Sequence, residues 1–194
     1  MKKYILLPAL VTLFAIPTFA ASLPNYVVFK PGAYLPQASD VEEFDNSFYG
    51  EIGFGHYFLP NIALEFGVGY TKSSASESVP GMGSADVDLT IVPITLGLKL
   101  LMTAGNFEPF VMAGVGAYYV KGDASASLTG LGSFSGSEND TTYGGFLGLG
   151  SNFDITLNTF VGFEGKYFIS TPSFNDVDVD IDGINVTANI GYRF

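Results

Sequence analysis

The feature that most constrains this chain is an alternation of apolar side chains with small or polar ones at every second residue. It is clearest over residues 61–71, where one face carries Ile62, Leu64, Phe66, Val68 and Tyr70. Successive side chains of a β-strand point to opposite sides, so this pattern predicts a strand with one apolar face. Residues 184–194 repeat the pattern and predict a second such strand.

Six further segments have the same period and are predicted strands: 26–35, 48–58, 87–100, 108–120, 142–153 and 160–169. Each is long enough for a tilted strand that crosses a membrane, which takes about 9–11 residues. The total of eight strands is even, as closure of an antiparallel barrel in a single bacterial chain requires. The predicted fold is therefore all-β, an eight-stranded antiparallel up-and-down transmembrane β-barrel.

The predicted connections alternate between short and long. Short ones cover residues 59–61, 101–107 and 154–159, whereas long polar ones cover 36–46, 73–85, 121–141 and 170–182. This alternation is typical of outer-membrane barrels, which have short periplasmic turns and long external loops. Because residues 122–137 are almost entirely Gly, Ser, Ala, Thr and Leu, we expect a mobile loop there.

Some residues interrupt the alternation. Pro31 and Pro93 lie inside predicted strands, where the missing N–H removes a ladder hydrogen bond. The apolar face also changes between Ile91 and Val92, and again near Asp182. We interpret these sites as β-bulges near the end of the barrel that carries the long loops.

The first twenty residues differ from the rest. A basic start, with Lys2 and Lys3, precedes an apolar run over residues 4–14, and small residues follow at Thr18 and Ala20. This order predicts a signal peptide over residues 1–20, cleaved after Ala20, and a barrel domain over residues 21–194. The chain is 47% apolar and only 14% charged, against about 25% charged residues in soluble domains. A membrane barrel explains this composition without a spanning helix.

Charged residues of the predicted strands fall on the small, polar face and not on the apolar one. They are Lys30, Glu51, Glu65, Lys99, Glu164, Lys166 and Arg193. A charge that faces the middle of the bilayer costs about 2–4 kcal/mol, so this face is predicted to line the lumen. An eight-stranded barrel is just wide enough for side chains to fill, and we expect these groups to form a paired network.

Aromatic residues are predicted to form two girdles, one at each membrane–water interface. Beside the short turns these are Tyr57, Phe58, Phe107, Phe153, Phe160, Tyr192 and Phe194. Toward the long loops they are Tyr70, Tyr118, Tyr119, Tyr143 and Tyr167.

Little in the sequence points to catalysis or to a cofactor. There is no cysteine, which excludes a disulfide framework and thiolate chemistry. His56 is the only histidine and would have to be the base of a hydrolytic triad, but we expect an interfacial role and no enzyme. The alternating aspartates Asp176, Asp178, Asp180 and Asp182 resemble the start of a calcium loop, yet the twelfth position, counted from Asp178, is Asn189. No metal or cofactor site is therefore predicted, although these aspartates and the acidic residues Asp40, Glu42, Glu43 and Asp45 could share divalent cations weakly with lipopolysaccharide phosphates.

Three segments resemble the OmpA-type and OmpX-type outer-membrane barrel superfamily. They cover residues 55–65, at the first short turn, and residues 92–99 and 109–116, which are similar to the fourth and fifth strands of that group. The chain also ends Ile190-Gly191-Tyr192-Arg193-Phe194, which resembles the carboxy-terminal signal, here Tyr192 and Phe194, that the barrel-assembly machinery recognises. The resemblance implies a Gram-negative outer-membrane location and covers adhesins, invasion-related proteins and stabilising proteins, among others.

We therefore expect a monomeric structural or surface-interaction protein whose external loops contact an unknown partner. Outer-membrane lipid and lipopolysaccharide are expected partners, as is the barrel-assembly machinery during biogenesis. Without its first twenty residues the chain has a net charge of −13, which opposes binding of nucleic acid. The alternatives are a narrow ion or small-solute channel, a lipid A-modifying enzyme that uses His56, and a soluble lipocalin-like barrel.

Overall fold

The strands close into one barrel. The computed structural model describes residues 25–38, 45–79, 83–102, 104–128, 132–174, 177–178 and 180–194. Its strands are β1 Asn25–Pro36, β2 Ser47–Leu59, β3 Ile62–Val79, β4 Gly83–Leu101, β5 Phe107–Leu128, β6 Gly132–Asp154, β7 Thr159–Ser170, β8 Ser173–Phe174, β9 Val177–Asp178 and β10 Gly183–Arg193. Eight of them form a closed antiparallel barrel in the order β1-β10-β7-β6-β5-β4-β3-β2, and β8 pairs with β9 in a separate short hairpin. The predicted eight-stranded up-and-down barrel is confirmed.

Apolar side chains cover the outside of this barrel and charged ones lie inside. Outward residues such as Ile52, Leu96 and Val115 are 45–64% exposed, whereas Lys30 and Glu51 are at most 1% exposed. A soluble barrel would need the opposite arrangement, so the lipocalin-like alternative is wrong. Among the described residues no helix is long and apolar enough to cross a bilayer.

Two hairpins are much longer than the sequence pattern predicted. β3 pairs with β4 as far as Val79 and Gly83, and β5 pairs with β6 as far as Leu128 and Gly132. The loops predicted over residues 73–85 and 121–141 are therefore mostly strand, and so is the predicted mobile loop over 122–137. The composition of this segment was misleading, because alanines alternate with Asp and Ser over residues 123–127 and make a strand pattern of small side chains.

The extra length forms a four-stranded sheet that projects beyond the barrel at its long-hairpin end. We call residues 72–79, 83–90, 121–128 and 132–139 of β3 to β6 the projecting sheet. The other two long connections are described only in part. Residues 39–44 and 175–176 lie outside the described residues, as do residues 1–20 of the predicted signal peptide.

The predicted β-bulges at Pro31 and Pro93 are wrong. The register of β1 with β10 is the same on both sides of Pro31, and the register of β4 with β3 is the same on both sides of Pro93. A register shift lies instead between Tyr57 and Leu59, at the first short turn.

The change of apolar face on β4 has another cause than a bulge. Leu89 and Ile91 point inward and are buried, while Ile94 and Leu96 point outward. Around Ile94 and Leu96 the outside of the barrel is apolar, and the apolar side chains of β4 point outward. Around Leu89 and Ile91 the strand turns its apolar side chains inward instead. At the other site, near Asp182, Ile181 is fully buried and its amide bonds to the Ser170 carbonyl at 3.0 Å. A regular strand therefore runs through the site on β4, whereas Asp182 lies in the connection just before β10 begins at Gly183.

The two aromatic girdles are present in part. Outward, exposed rings at the short-turn end include Phe58, Phe107, Phe153, Tyr192 and Phe194, and those at the other end include Tyr70, Tyr119, Tyr143 and Tyr167. Tyr57, Phe160 and Tyr118 are instead buried in the lumen, so their assignment to the girdles is wrong. Tyr118 and Phe160 lie an even number of residues from lumen residues of β5 and β7, so their side chains point to the same side as those residues. This alternation, and not their position near the predicted strand ends, decides where the two rings lie.

Candidate functional site

Six of the predicted lumen charges meet in one buried cluster, three lysines and three glutamates. Lys30 lies at its centre, with its Nζ atom 3.0 Å from Glu51, 2.6 Å from Glu65 and 3.0 Å from Glu164. These strands bring the residues together because inward positions of β1, β2, β3 and β7 reach the barrel axis at one level. Equal numbers of opposite charges make the cluster neutral.

The other two lysines close the cluster from the remaining sides. Lys99 Nζ lies 2.7 Å from Glu65, and Lys166 Nζ lies 2.8 Å from Glu51. Each ammonium also lies over an aromatic ring, 4.2 Å from the centroid of Phe110 for Lys99 and 5.0 Å from that of Phe146 for Lys166. Such contacts are stronger when the groups are removed from water.

Two tyrosines that the sequence reasoning missed belong to the same cluster. The Tyr26 hydroxyl donates a hydrogen bond to Glu65 at 2.6 Å, and the Tyr49 hydroxyl donates one to Glu51. Both lie on the inward parity of their strands, so the alternation that selected the charged residues also carried the signal for the tyrosines. Buried charges are tolerated when their hydrogen bonds are satisfied, and these donors serve that purpose.

The three glutamates offer an arrangement that could hold a metal ion, with oxygens of Glu51, Glu65 and Glu164 within 4.8 Å of one another. The Lys30 ammonium takes the central position and makes three contacts of 2.6–3.0 Å. The carboxylates are thus neutralised by the protein's own cation, and the donor set fits a packed ionic plug better than a metal site.

Arg193 does not join this cluster but makes a second one at the short-turn end. Its guanidinium pairs with Glu108 and with Asp154, the latter at 2.6 Å, and lies 4.7 Å from the centroid of the Phe160 ring. Sequence reasoning missed Glu108 and Asp154 as partners. The sequence nevertheless indicated that Arg193 would pair elsewhere, because this residue is next to the end of β10 and lies too far along the strand to reach the level of Lys30.

Aromatic layers lie above and below the central cluster. On the long-hairpin side Phe168 stacks on Tyr118 and on Tyr34, with ring centroids 5.2 Å and 5.7 Å apart. On the short-turn side Tyr26 packs on Tyr57 and Phe160 at 5.3 Å and 5.8 Å. A lumen filled in three successive layers favours a structural role over conduction.

The remaining candidates for chemistry have local partners. His56 Nδ1 lies 2.7 Å from the side-chain oxygen of Asn25, and the ring packs edge-on against Phe58. Asp182 accepts a hydrogen bond from the Ser170 amide at 3.1 Å, and Asp180 accepts one from Thr171 at 2.8 Å. These contacts hold together the connection between β7 and β10. Asp40, Glu42, Glu43 and Asp176 lie outside the described residues.

The projecting sheet has two different faces. Its outward face carries Ser, Thr, Asn, Asp and Lys. Its inward face carries mainly small or apolar residues, among them Ala75, Ala85, Val87, Ala124, Ala126 and Phe134, together with Glu138. Within the barrel the distribution is reversed. The reversal lies just beyond Tyr70 and Tyr119, which places the boundary between the apolar and the aqueous surroundings at these two rings.

One edge of the projecting sheet is long and pairs with no other strand among the described residues. β6 pairs with β5 along its whole length, but its pairing with β7 begins only at Gly144 and Ser170. Among the described residues, residues 132–137 of β6 are therefore paired with a strand on one side only, and we call this stretch the free edge of β6. The segment contains no proline or lysine, the residues with which proteins commonly protect such an edge.

The carboxy-terminal residues close the barrel. The amide of Phe194 donates to the Asn25 carbonyl and the amide of Asn25 donates to the Phe194 carbonyl, both at 2.8 Å. The side chains of Tyr192 and Phe194 point outward and are 51% and 58% exposed. The predicted assembly signal thus lies on the outer wall of the closing strand.

Comparison with known proteins agrees with this geometry. The family model described as outer membrane protein beta-barrel domain matches residues 6–194. A Rickettsia conorii protein named "Putative adhesin RC1281" is 32% identical over 123 residues, which cover 57% of this chain and 49% of that protein. This chain therefore matches about half the length of that relative.

Two solved structures share the fold at low identity. Ail, the attachment invasion locus protein of Yersinia pestis, solved with the heparin analogue sucrose octasulfate, has a TM-score of 0.58 at 16% identity, covering 90% of this chain and 100% of Ail. Neisserial surface protein A has a TM-score of 0.56 at 16% identity, covering 88% and 97%. The family match over nearly the whole sequence supports an outer-membrane location. The chain belongs to the family of outer-membrane protein β-barrel domains.

Proposed function

We propose that this protein is an adhesin-type surface protein that binds an external protein partner through the free edge of β6. The observation that carries the proposal is the stretch of β6 over residues 132–137, which pairs only with β5 among the described strands. The proposal takes the long-hairpin end as the external one, since outer-membrane barrels have short turns in the periplasm.

Such an edge binds an extended segment of a partner by adding it to the sheet. Main-chain hydrogen bonds supply affinity, and side chains at alternate positions supply specificity. The β5–β6 ladder is regular over this length and keeps the edge extended before binding. A preformed edge lowers the ordering cost that association must overcome.

The names of two similar proteins agree with this role, but the ligand bound to one of them does not suit this chain. The Rickettsia relative is named as an adhesin and Ail as an attachment protein. Ail was solved with a sulfated heparin analogue, but this chain has 19 acidic and 8 basic residues. A polyanion is therefore a poor fit here, and we propose a protein partner.

We also propose roles for residues inside the barrel and at its carboxy terminus. The lumen cluster around Lys30 and the pairs of Arg193 stabilise the barrel wall, and Tyr192 and Phe194 form the signal for the barrel-assembly machinery. Outer-membrane lipid and lipopolysaccharide surround the barrel. No enzymatic activity is proposed, because His56 bonds to Asn25 and packs against Phe58.

Proline substitution at two neighbouring positions tests the edge. In a strand, adjacent N–H groups point to opposite sides, so one of Ser135→Pro and Gly136→Pro removes an N–H on the free side and the other removes one that faces β5. Bacteria that display the protein would be measured for adherence to cultured epithelial cells. The free-side variant should lose adherence, while Ser135→Ala, which alters only a side chain, should keep it.

The mobility of unheated and boiled protein on SDS gels serves as the folding control. A free-side proline variant that keeps the heat-dependent shift and adheres like the wild type would show that partners do not bind at this edge.

A further inference from the structure

The projecting sheet carries more carboxylates than ammonium groups. Its four segments contain five acidic residues against two lysines, and hence have a net charge of −3. Both lysines already have partners, since Lys72 Nζ lies 2.8 Å from Asp88 and Lys121 Nζ lies 2.7 Å from Asp123. Within the described part of the chain, Asp86 forms no ion pair. The sheet therefore has negative charge that its own lysines do not neutralise.

Part of this charge lies beside the free edge of β6, on the outward face of the sheet. Two rows of paired residues cross the face there: Ser137, Asp123 and Asp88 form one, and Ser135, Ser125 and Asp86 form the other. These six residues line a depression of about 280 Å³. Because the two residues on β6 are serines, no long side chain stands between the edge and the carboxylates. The depression thus extends to the edge strand.

The inward side of the free edge is different. Phe134 points inward and is 62% exposed, and a Cβ atom at Gly136 would meet no atom within 4 Å. The row of Gly136 continues across β5 and β4 with Ala124 and Val87. Glu138, two residues from Gly136 on the same face, adds a carboxylate at the border of this surface. A side chain brought to the inward side of the edge would therefore meet an aromatic ring, methyl groups and open space.

A strand that pairs with β6 would present its side chains alternately to these two faces. Because neighbouring strands are about 4.8 Å apart, its outward residues would lie about 10 Å from Asp123 on β5. A lysine or arginine carries its charge on a long flexible stem and can reach the Asp123 carboxylate across Ser137. The ion pair of Asp123 with Lys121 is exposed to solvent and weak, so this carboxylate can share a second cation.

We propose that the partner segment bound at the free edge of β6 is a cationic strand in which lysine or arginine alternates with apolar residues. Its basic side chains pair with Asp123 and are attracted by Asp86, and its apolar side chains cover Phe134 and Gly136. Opposite charge steers the two surfaces together and fixes their register, whereas the ladder hydrogen bonds supply affinity. The inference rests on the proposed binding at this edge and names the chemical class of its partner.

The test measures binding of short fluorescent peptides to the full-length protein in phosphatidylcholine nanodiscs by fluorescence anisotropy. One peptide alternates lysine with valine, and a second replaces each lysine by threonine. A third holds the lysines and the valines of the first in two separate blocks. Each solvent-exposed ion pair adds about twofold to threefold in affinity, so the alternating lysine peptide should bind about fivefold more tightly than the threonine peptide. It should also bind more tightly than the block peptide, which cannot direct its charges to one face.

A double variant, Asp123→Asn with Asp86→Asn, removes the two carboxylates and leaves the edge intact. It should lose the fivefold preference for lysine and bind the threonine peptide like the wild type. Asp45→Asn is the matched control, because the Asp45 amide donates to the Ser74 carbonyl at 3.2 Å on β3, at the opposite edge of the sheet. This control should keep the preference. The heat-dependent gel shift checks that each variant is folded.

Hydrogen exchange of the amides of residues 132–137 separates this inference from the proposed function. If the lysine and threonine peptides protect these amides with equal affinity, the edge binds strands without selecting charge, and only the cationic partner is overturned. If no peptide protects them, both the inference and the proposed edge binding are overturned. Protection that appears without peptide as the protein concentration rises would assign the edge to a second copy of the chain and would also overturn the cationic partner.

Discussion

The Nζ atom of Lys30 lies 2.6 Å from Oε1 of Glu65, although β2 separates their strands in the barrel wall. The contact crosses the lumen, and the two side chains are only 1–2% exposed. It therefore ties together parts of the wall that share no backbone hydrogen bond.

Removal of the central cation should destabilise the barrel strongly. Lys30→Gln leaves Glu51, Glu65 and Glu164 close together without their shared partner, and loss of one member of a buried ion pair costs about 3–5 kcal/mol. The measurement is the urea concentration at which the heat-modifiable band disappears, since the chain contains no tryptophan for fluorescence. The control is Lys72→Gln, whose exposed pair with Asp88 should matter by less than about 1 kcal/mol. Equal midpoints for the two variants would contradict a stabilising role of the lumen cluster.

A glycine beside a lumen aromatic ring should not tolerate a methyl group. A Cβ atom at Gly191 would lie 2.1 Å from the Phe160 ring, which also covers Arg193. Gly191→Ala should therefore cost about 1–3 kcal/mol through overpacking. Gly165 offers a matched control, because a Cβ there meets no atom within 4 Å. Urea midpoints measured as above should fall for Gly191→Ala and stay close to wild type for Gly165→Ala, and the reverse order would show that the lumen is loosely packed at Phe160.

The carboxy-terminal ring should matter for assembly more than for the folded barrel. Phe194 and Phe163 are both outward and similarly exposed, at 58% and 54%. If Phe194 is read by the assembly machinery, Phe194→Ser should slow the appearance of folded protein in the outer membrane in a pulse-chase experiment, whereas Phe163→Ser should not. Refolding of the two purified variants in detergent should be similar, because the backbone bonds of Phe194 to Asn25 do not need the ring. Equal assembly rates in cells would argue against the signal.

Much of the fold could be predicted from the alternation of side chains. The inward positions of Lys30, Glu65 and Lys166 follow from strand parity, which a local pattern records reliably when one face is apolar. The same parity was less informative near Ile91, because the apolar residues change face there while the strand continues. It was overlooked in the segment around Asp123, where the alternating side chains are too small to give a strong hydrophobic signal.

Some contacts depend on distance along the barrel axis, which a pattern within one strand does not contain. Arg193 has the same parity as Lys30 but lies at another level and pairs with Glu108 and Asp154. Tyr118 and Phe160 could be assigned to the girdles by position near strand ends, yet their strands turn them into the lumen.

The sequence by itself determined the eight strands of the barrel and the face on which each of their lumen charges lies, because these depend on neighbours two residues apart. Only the tertiary structure decided which charges meet, how far β3 to β6 extend beyond the barrel, and which part of β6 has a neighbouring strand on one side only among the described residues. Those features depend on the register between strands distant in the chain. Register is set by closure of the whole barrel, since every strand must match two neighbours at once.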